Sequence, residues 1–327
     1  MVKRKNAKKK LKRYALTKGI CVSAKSLEEF RTVEKMILKE APDLNVIPFE
    51  NILKQPNLLD QCDFILTVGG DGSVAWLVGT FYKLFESVSN LKPIIPTIRP
   101  ESVGYLKQLS LDPEEEFRKG FKQIIDGNYS IQHRTILKTN VLGNNLIGVN
   151  EILLHCEPHL GKFKVSIENR QTSSANKREE ILTETMADGV MISTSIGSTA
   201  WSLSYNGQIS LNEDSLQLVF IAGIHSTANF ILPKEKIRLN LELKNPVITK
   251  ETIGAYNQFR EKFKLPKDKN PSKTLEIVYG PRVVIDGKVQ AFGVKELEID
   301  PSLSIPFMVL NESVVDKARK LTKMQGN

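Results

Sequence analysis

Gly69-Gly70-Asp71-Gly72-Ser73, directly behind the apolar run Phe64–Val68 (FILTV), carries the strongest chemical signal in the chain. Glycines at a strand–helix junction let backbone N–H groups approach a phosphate, and the helix N-terminus behind them adds a favourable dipole. Read as Gly70-x-Gly72-x-x-Ala75, the stretch also fits the dinucleotide fingerprint, so a dinucleotide-dependent oxidoreductase is one reading. Asp71 argues against it. A carboxylate between two such glycines repels a pyrophosphate, unless it takes a proton from a hydroxyl or meets Mg²⁺ on the phosphates. The sequence has no G-x-x-x-x-G-K-[ST] run, which excludes an ordinary P-loop kinase.

A second segment, 188–204 (DGVMISTSIGSTAWSLS), is a short apolar strand leading into a loop dense in hydroxyls and small residues. Hydroxyls and free N–H groups suit ribose and phosphate oxygens, and Trp201 is placed to flank a ring. His155-Cys156-Glu157-Pro158-His159 has the composition of a metal cluster. Zinc sites need four ligands at suitable spacing, so the expectation there is a turn with incidental polar residues. No G-x-S-x-G elbow supports a serine hydrolase.

These residues need elements to position them. In the first third, strand-like runs at 14–22, 46–49, 64–68 and 93–98 alternate with helical patterns at 26–40, opened by the capping-box pair Ser26 and Glu29, and at 73–86. Such alternation predicts a doubly wound, Rossmann-like α/β domain. A further helix is predicted from Asp112-Pro113 to about Asp126. Beyond it come short β-like runs at 131–141, 146–154, 163–168, 190–194, 216–221, 237–243, 275–279, 283–285 and 296–299, with hairpin signals at Gly143-Asn144-Asn145 and Asp286-Gly287. This half reads as β-rich and sandwich-like, with 245–272 as a polar surface insertion.

The net charge of +9 has a local origin. Residues 1–13 carry eight Lys and Arg, leaving +1 for the other 314 residues. The expectation is a disordered basic tail on a nearly neutral body. A nucleotide-binding regulator that contacts nucleic acid through this tail is a further reading. Three cysteines without disulfide spacing, no apolar run near the ~20 residues that span a bilayer and no secretory signal predict a cytoplasmic protein.

GGDG at 69–72, then Asn150-Glu151, then DGVxxSTxxGSTAWSLS from Asp188, resembles the NAD kinase family. Lipid and diacylglycerol kinases are similar at GGDG but lack the second motif. Val103-Gly104-Tyr105-Leu106, His225-Ser226 and Val284-Ile285-Asp286-Gly287 add matches in the family's order. The resemblance implies Mg²⁺-dependent transfer of a phosphoryl group from ATP or polyphosphate to the adenosine ribose 2′-hydroxyl of NAD. It implies Asp71 as the catalytic carboxylate, with Gly70, Gly72 and Ser73 at the triphosphate. Asn150 would hold the adenine, with Glu151 beside it near the ribose and Asp188 on the nicotinamide-ribose side. Tyr105, Thr199, Ala200, Trp201 and Ser204 would line the pocket. It further implies an α/β domain over 14–108 joined by 306–327, a β-rich domain over 109–305, a site between them, and a dimer or tetramer. The chain departs from the family pattern at Thr97–Ser102, Ser195, Ile196 and Ile224. These departures also permit a paralogue that binds nucleotide without phosphorylating it.

Overall fold

The computed structural model describes residues 18–100, 105–156, 161–169, 178–210, 212–224, 228–243, 250–263, 266, 268–271, 274–275 and 280–310. The expectations for the tail 1–13, for Val103-Gly104, Glu157–His159 and His225-Ser226, and for everything after residue 310 lie outside them. The chain forms two compact units, one from the described residues of Met1–His133 and Ile305–Asn327, the other from Arg134–Ser304.

The first unit runs β1 (Gly19–Ser23), α1 (Leu27–Glu40), β2 (Asn45–Pro48), α2 (Phe49–Lys54), a 3-10 turn (Pro56–Gln61), β3 (Phe64–Val68), α3 (Asp71–Phe85), β4 (Ile94–Ile98), β5 (Leu109–Ser110) and α4 (Glu114–Ile125). The strands are parallel in the order β2-β1-β3-β4. Every residue of β1 and β3 is buried, as central strands covered on both faces require. Helix α1 starts where the sequence places it. The Ser26 hydroxyl accepts from Glu29 N–H at 3.2 Å, and the Glu29 carboxylate accepts from Lys25 N–H at 2.6 Å. Its apolar stripe, Phe30, Val33, Met36 and Ile37, packs into a core with Ile20, Phe64 and Leu66.

Helix α4 sends Phe117, Phe121 and Ile124 into this same core, their rings and side chains joining Leu66 and Met308. That packing moves the boundary between units from the expected 108/109 to His133/Arg134. The change of texture after residue 110 misled because α4 is followed at once by β6 (Tyr129–Val141), which runs on into the second unit.

The second unit continues with β7 (Asn144–Gly148), β8 (Glu151–His155), β9 (Gly161–Asn169), β10 (Arg178–Ala187), β11 (Gly189–Ser193), a 3-10 turn (Gly197–Thr199) and α5 (Trp201–Ser204). Then come β12 (Ser215–Ile221), β13 (Phe230–Pro233), β14 (Ile237–Leu243), α6 (Lys250–Lys262), β15 (Arg282–Ile285), β16 (Lys288–Phe292) and β17 (Glu296–Leu310), whose end returns to the first unit. One antiparallel sheet has the order β13-β12-β11-β8-β15-β16, and β10-β9-β14-β17 pair in a second. Inward residues of both sheets, among them Leu154, Val190 and Leu218 from one and Phe163, Val165 and Leu239 from the other, share one core.

The expected single run 146–154 is broken at Val149-Asn150 into β7 and β8, which belong to different sheets. Of the run 275–279, Leu275 is helical and buried rather than extended, and the rest lies outside the described residues. Among the described residues no helix is long and apolar enough to cross a membrane.

Candidate functional site

The strand order of the first unit reverses between β1 and β3, and in open α/β sheets ligands bind outside the carboxyl ends of the strands at such a point. The turn Gly69-Gly70 leaves the end of β3 there. Gly69 has φ +139°, and a Cβ on it would meet Ser73 Cβ at 3.1 Å, so backbone strain and space both select glycine. Gly70 caps α3, and Asp71 is the helix's first residue rather than part of the loop before it. The Ser73 hydroxyl donates to Gly70 O at 2.7 Å, which ties the turn to the first helical turn. A Cβ on Gly72 would meet nothing within 4 Å, so the surface beside this residue is open.

Asp71 is held from the loop before β5. Tyr105 N–H donates to its Oδ2 at 2.8 Å and Leu106 N–H to its Oδ1 at 3.1 Å. The carboxylate is therefore fixed in direction by the backbone of this loop. The divergent stretch after β4 is anchored as well. Arg99 forms a bidentate pair with Glu29 of α1, with Nη2 to Oε2 at 3.0 Å.

In the second unit Asn150 and Glu151 stand where β7 gives way to β8, and Glu151 is opposite Ser193 in register. Thr194 N–H donates to Asn150 O at 2.9 Å, and Thr194 Oγ1 donates to Val149 O at 2.7 Å. Gly197 follows so closely that a Cβ on it would lie 2.0 Å from Asn150 O and 2.5 Å from its carbon. Gly197→Ala is expected to destabilise the protein by about 3 kcal/mol, because backbone is the clashing partner and cannot rotate away. Urea unfolding of the full chain measures this; an unchanged midpoint would mean that the loop moves freely off Asn150.

Glu151 is 3% exposed, its Oε2 has no hydrogen-bond partner among the described residues, and burial, reinforced by the charge of Asp286, pushes its carboxyl up to about 8. Asp286, at the β15–β16 turn, accepts N–H from Val149 at 3.0 Å, Asn150 at 2.7 Å and Glu151 at 3.3 Å. Burial raises its pKa too, opposed by those three donors. The sequence signal at Asp286-Gly287 predicts the turn but not this reach across 136 residues.

The remaining predicted residues spread out. Thr199 and Ala200 are half-buried, the Thr199 hydroxyl donates to Ile196 O at 3.1 Å, and Ser204 is exposed. Trp201 is tilted against Tyr205 with ring centroids 6.0 Å apart, over the small cluster of Leu153, Met191 and Val219. Asp188 is not brought to Asn150 and Glu151. It lies beyond the opposite end of β11, roughly 17 Å along the strand from Ser193, the residue opposite Glu151. Sequence reasoning also missed the tether of Ser195. Its hydroxyl donates to Glu213 Oε2 at 2.6 Å, and Arg134 pairs with Glu213 Oε1 at 3.3 Å.

His155 accepts from Arg282 Nε at 3.0 Å, and Cys156 is a buried thiol that burial pushes up to about 12 and that donates to Asp188 O at 3.2 Å. Among the described residues no group of three or more His, Cys, Asp or Glu is placed to hold a metal ion.

The fold defines the class, a doubly wound α/β unit with a glycine turn at its switch point joined to an antiparallel, two-sheet β unit. Curated homologues of the chain are NAD kinases and NADH kinases. An NAD kinase of Chloroherpeton thalassium is 31% identical over 181 residues, covering 52% of this chain and 56% of that protein. One of Buchnera aphidicola is 30% identical over 201 residues, covering 56% and 61%. The mitochondrial NADH kinase of Saccharomyces cerevisiae is 31% identical over 179 residues, covering 50% and 39%. The chain thus spans less than two thirds of the length of these relatives. Among solved structures, yeast NADH kinase complexed with NADH superposes with TM-score 0.65 at 21% identity, covering 94% of this chain and 87% of that one. An NAD kinase from Archaeoglobus fulgidus in complex with ATP gives 0.60 at 17%, covering 92% and 98%. No family model matches the chain.

Proposed function

We propose that the chain is an NAD kinase that moves the γ-phosphoryl group of ATP onto the 2′-hydroxyl of the adenosine ribose of NAD. The observation that carries this reading is Asp71. It is a carboxylate fixed by two backbone N–H groups at the first residue of a helix behind a glycine turn, where pyrophosphate binding alone would favour no negative charge. The curated homologues and the fold support it.

In the proposed reaction Asp71 takes the hydroxyl proton as the ribose oxygen bonds to the γ-phosphorus and the bond to the bridging oxygen of ADP breaks. The backbone at Gly70 and Gly72 and the N-terminus of α3 receive the phosphates, with Ser73, whose N–H and hydroxyl both donate to Gly70 O, bracing the turn beside them. Most of the rate then comes from positioning and charge stabilisation. Asp71 is the carboxylate that would help hold a Mg²⁺ ion brought by the substrate phosphates, and when bound that ion would offset charge on them. In the second unit the Asn150 carboxamide takes the adenine. Thr199, Ala200, Trp201 and Ser204 flank it, and Tyr105 stands beside Asp71 in the first unit. Asp188, at the far end of β11, suits the second ribose of an extended dinucleotide rather than any part of a mononucleotide.

NADH is a second acceptor reading, because NADH kinases stand among both the curated relatives and the structural neighbours. A coupled assay for NADP from NAD, ATP and Mg²⁺, repeated with NADH and with polyphosphate, tests all of this. NADP formation is the expected result. Absence of product with every donor and acceptor, alongside intact NAD binding by calorimetry, would leave a binding protein on a kinase scaffold.

A further inference from the structure

The bend Val149-Asn150-Glu151 has its backbone satisfied from two sides within one unit. Asp286 Oδ1 accepts the N–H of Asn150 at 2.7 Å and of Glu151 at 3.3 Å, and its Oδ2 that of Val149 at 3.0 Å. On the carbonyl side, Thr194 Oγ1 donates to Val149 O at 2.7 Å, with Asn150 O at 3.2 Å, and Thr194 N–H donates to Asn150 O at 2.9 Å. With the main chain committed in this way, the half-buried Asn150 carboxamide has no hydrogen-bond partner among the described residues. An asparagine so fixed presents a donor and an acceptor side by side, the pair that matches the N6 and N7 edge of adenine.

We propose that Asp286 is a positioning residue that sets the direction of the Asn150 carboxamide, and with it the enzyme's discrimination for a 6-amino purine. The inference rests on the assignment of Asn150 to the adenine made above. Three N–H groups need two acceptor oxygens, and only a carboxylate supplies both in one plane; an asparagine would turn its amide NH₂ toward Val149 N–H. Asp286 also stands at φ +47°, a left-handed conformation that Asp and Asn tolerate and most residues do not. Asp286→Asn therefore removes one acceptor without adding backbone strain.

The test measures binding of NAD and of its hypoxanthine analogue, in which oxygen replaces the 6-amino group, by calorimetry on the full chain, with steady-state kinetics alongside. Wild type is expected to prefer NAD. Asp286→Asn should weaken NAD about tenfold and lose the preference, with kcat at saturating NAD within about threefold of wild type. Thr194→Val should behave like Asp286→Asn, and Thr194→Ser, which keeps the hydroxyl, like wild type. The Thr194 pair carries the test should Asp286→Asn not fold. Retained preference in both Asp286→Asn and Thr194→Val, or equal weakening toward both dinucleotides, would assign Asp286 to stability alone and overturn the proposal while leaving the kinase reading intact. A wild type that binds neither dinucleotide would overturn the kinase reading, and this inference with it.

Discussion

Asp71→Asn is expected to lower turnover about a thousandfold while NAD affinity stays within about twofold of wild type. The substitution is close to isosteric. One amide oxygen still accepts from the Tyr105 or Leu106 N–H, so the helix start and the glycine turn keep their shape. What is lost is a group able to accept the ribose proton, together with the negative charge it carries at the phosphates. Single-turnover kinetics with saturating NAD and ATP isolate this step from product release, and calorimetry reports NAD binding independently. A variant within tenfold of wild type would remove Asp71 from proton transfer and leave it as an anchor for the loop before β5. A thousandfold fall in turnover with unchanged NAD affinity would tie the reaction to the residue that most distinguishes this turn from a dehydrogenase fingerprint.

The α/β half was readable because its signals are local. Strand β3 is apolar on both faces, Ser26 and Glu29 open α1 with their own side chains, and the glycines at 69–72 mark a turn wherever they occur. Elements stabilised by distant partners were not readable. Strand β10 (REEILTETMA) shows no strong apolar alternation and holds its place through pairing with β9 at the edge of its sheet. Helix α2 has only six residues, too few to show a period, and is fixed by burying Phe49 and Ile52. The break between β7 and β8 looks continuous in sequence because Gly148 and Val149 are as apolar as their neighbours. It is Asp286 and Thr194, far along the chain, that bend it there. The candidate site follows the same rule. Residues carried by short motifs could be named as candidates in advance, whereas the contacts that tether their surroundings, Asp286 to Val149, Asn150 and Glu151 across 135 residues or more and Arg134 to Glu213 across 79, join segments far apart in the chain.

Glu151→Gln is expected to stabilise the protein at pH 8 by several kcal/mol and to change it little at pH 4.5. Glu151 titrates near 4.5 when solvated, but burial and the neighbouring Asp286 push it up to about 8 in the fold. The folded state thus holds a proton that the unfolded state releases across this interval. A raised carboxyl contributes fully below pH 4.5 and loses stability as pH climbs toward 8, beyond which the loss levels off. At about 1.4 kcal/mol per pH unit, the interval from 4.5 to about 8 corresponds to about 5 kcal/mol, an upper bound because a loosened bend would admit water. Glutamine keeps the shape without the charge and escapes this loss. Denaturant midpoints for wild type and Glu151→Gln between pH 4.5 and 9 should therefore diverge with rising pH, wild type falling more steeply than the variant, which retains the raised Asp286. Parallel curves would mean that Glu151 reaches water and ionises in place. Divergence would mean that at neutral pH Glu151 is a neutral hydrogen-bond donor beside Asn150, able to offer a proton to a ligand oxygen where a charged glutamate could only accept one.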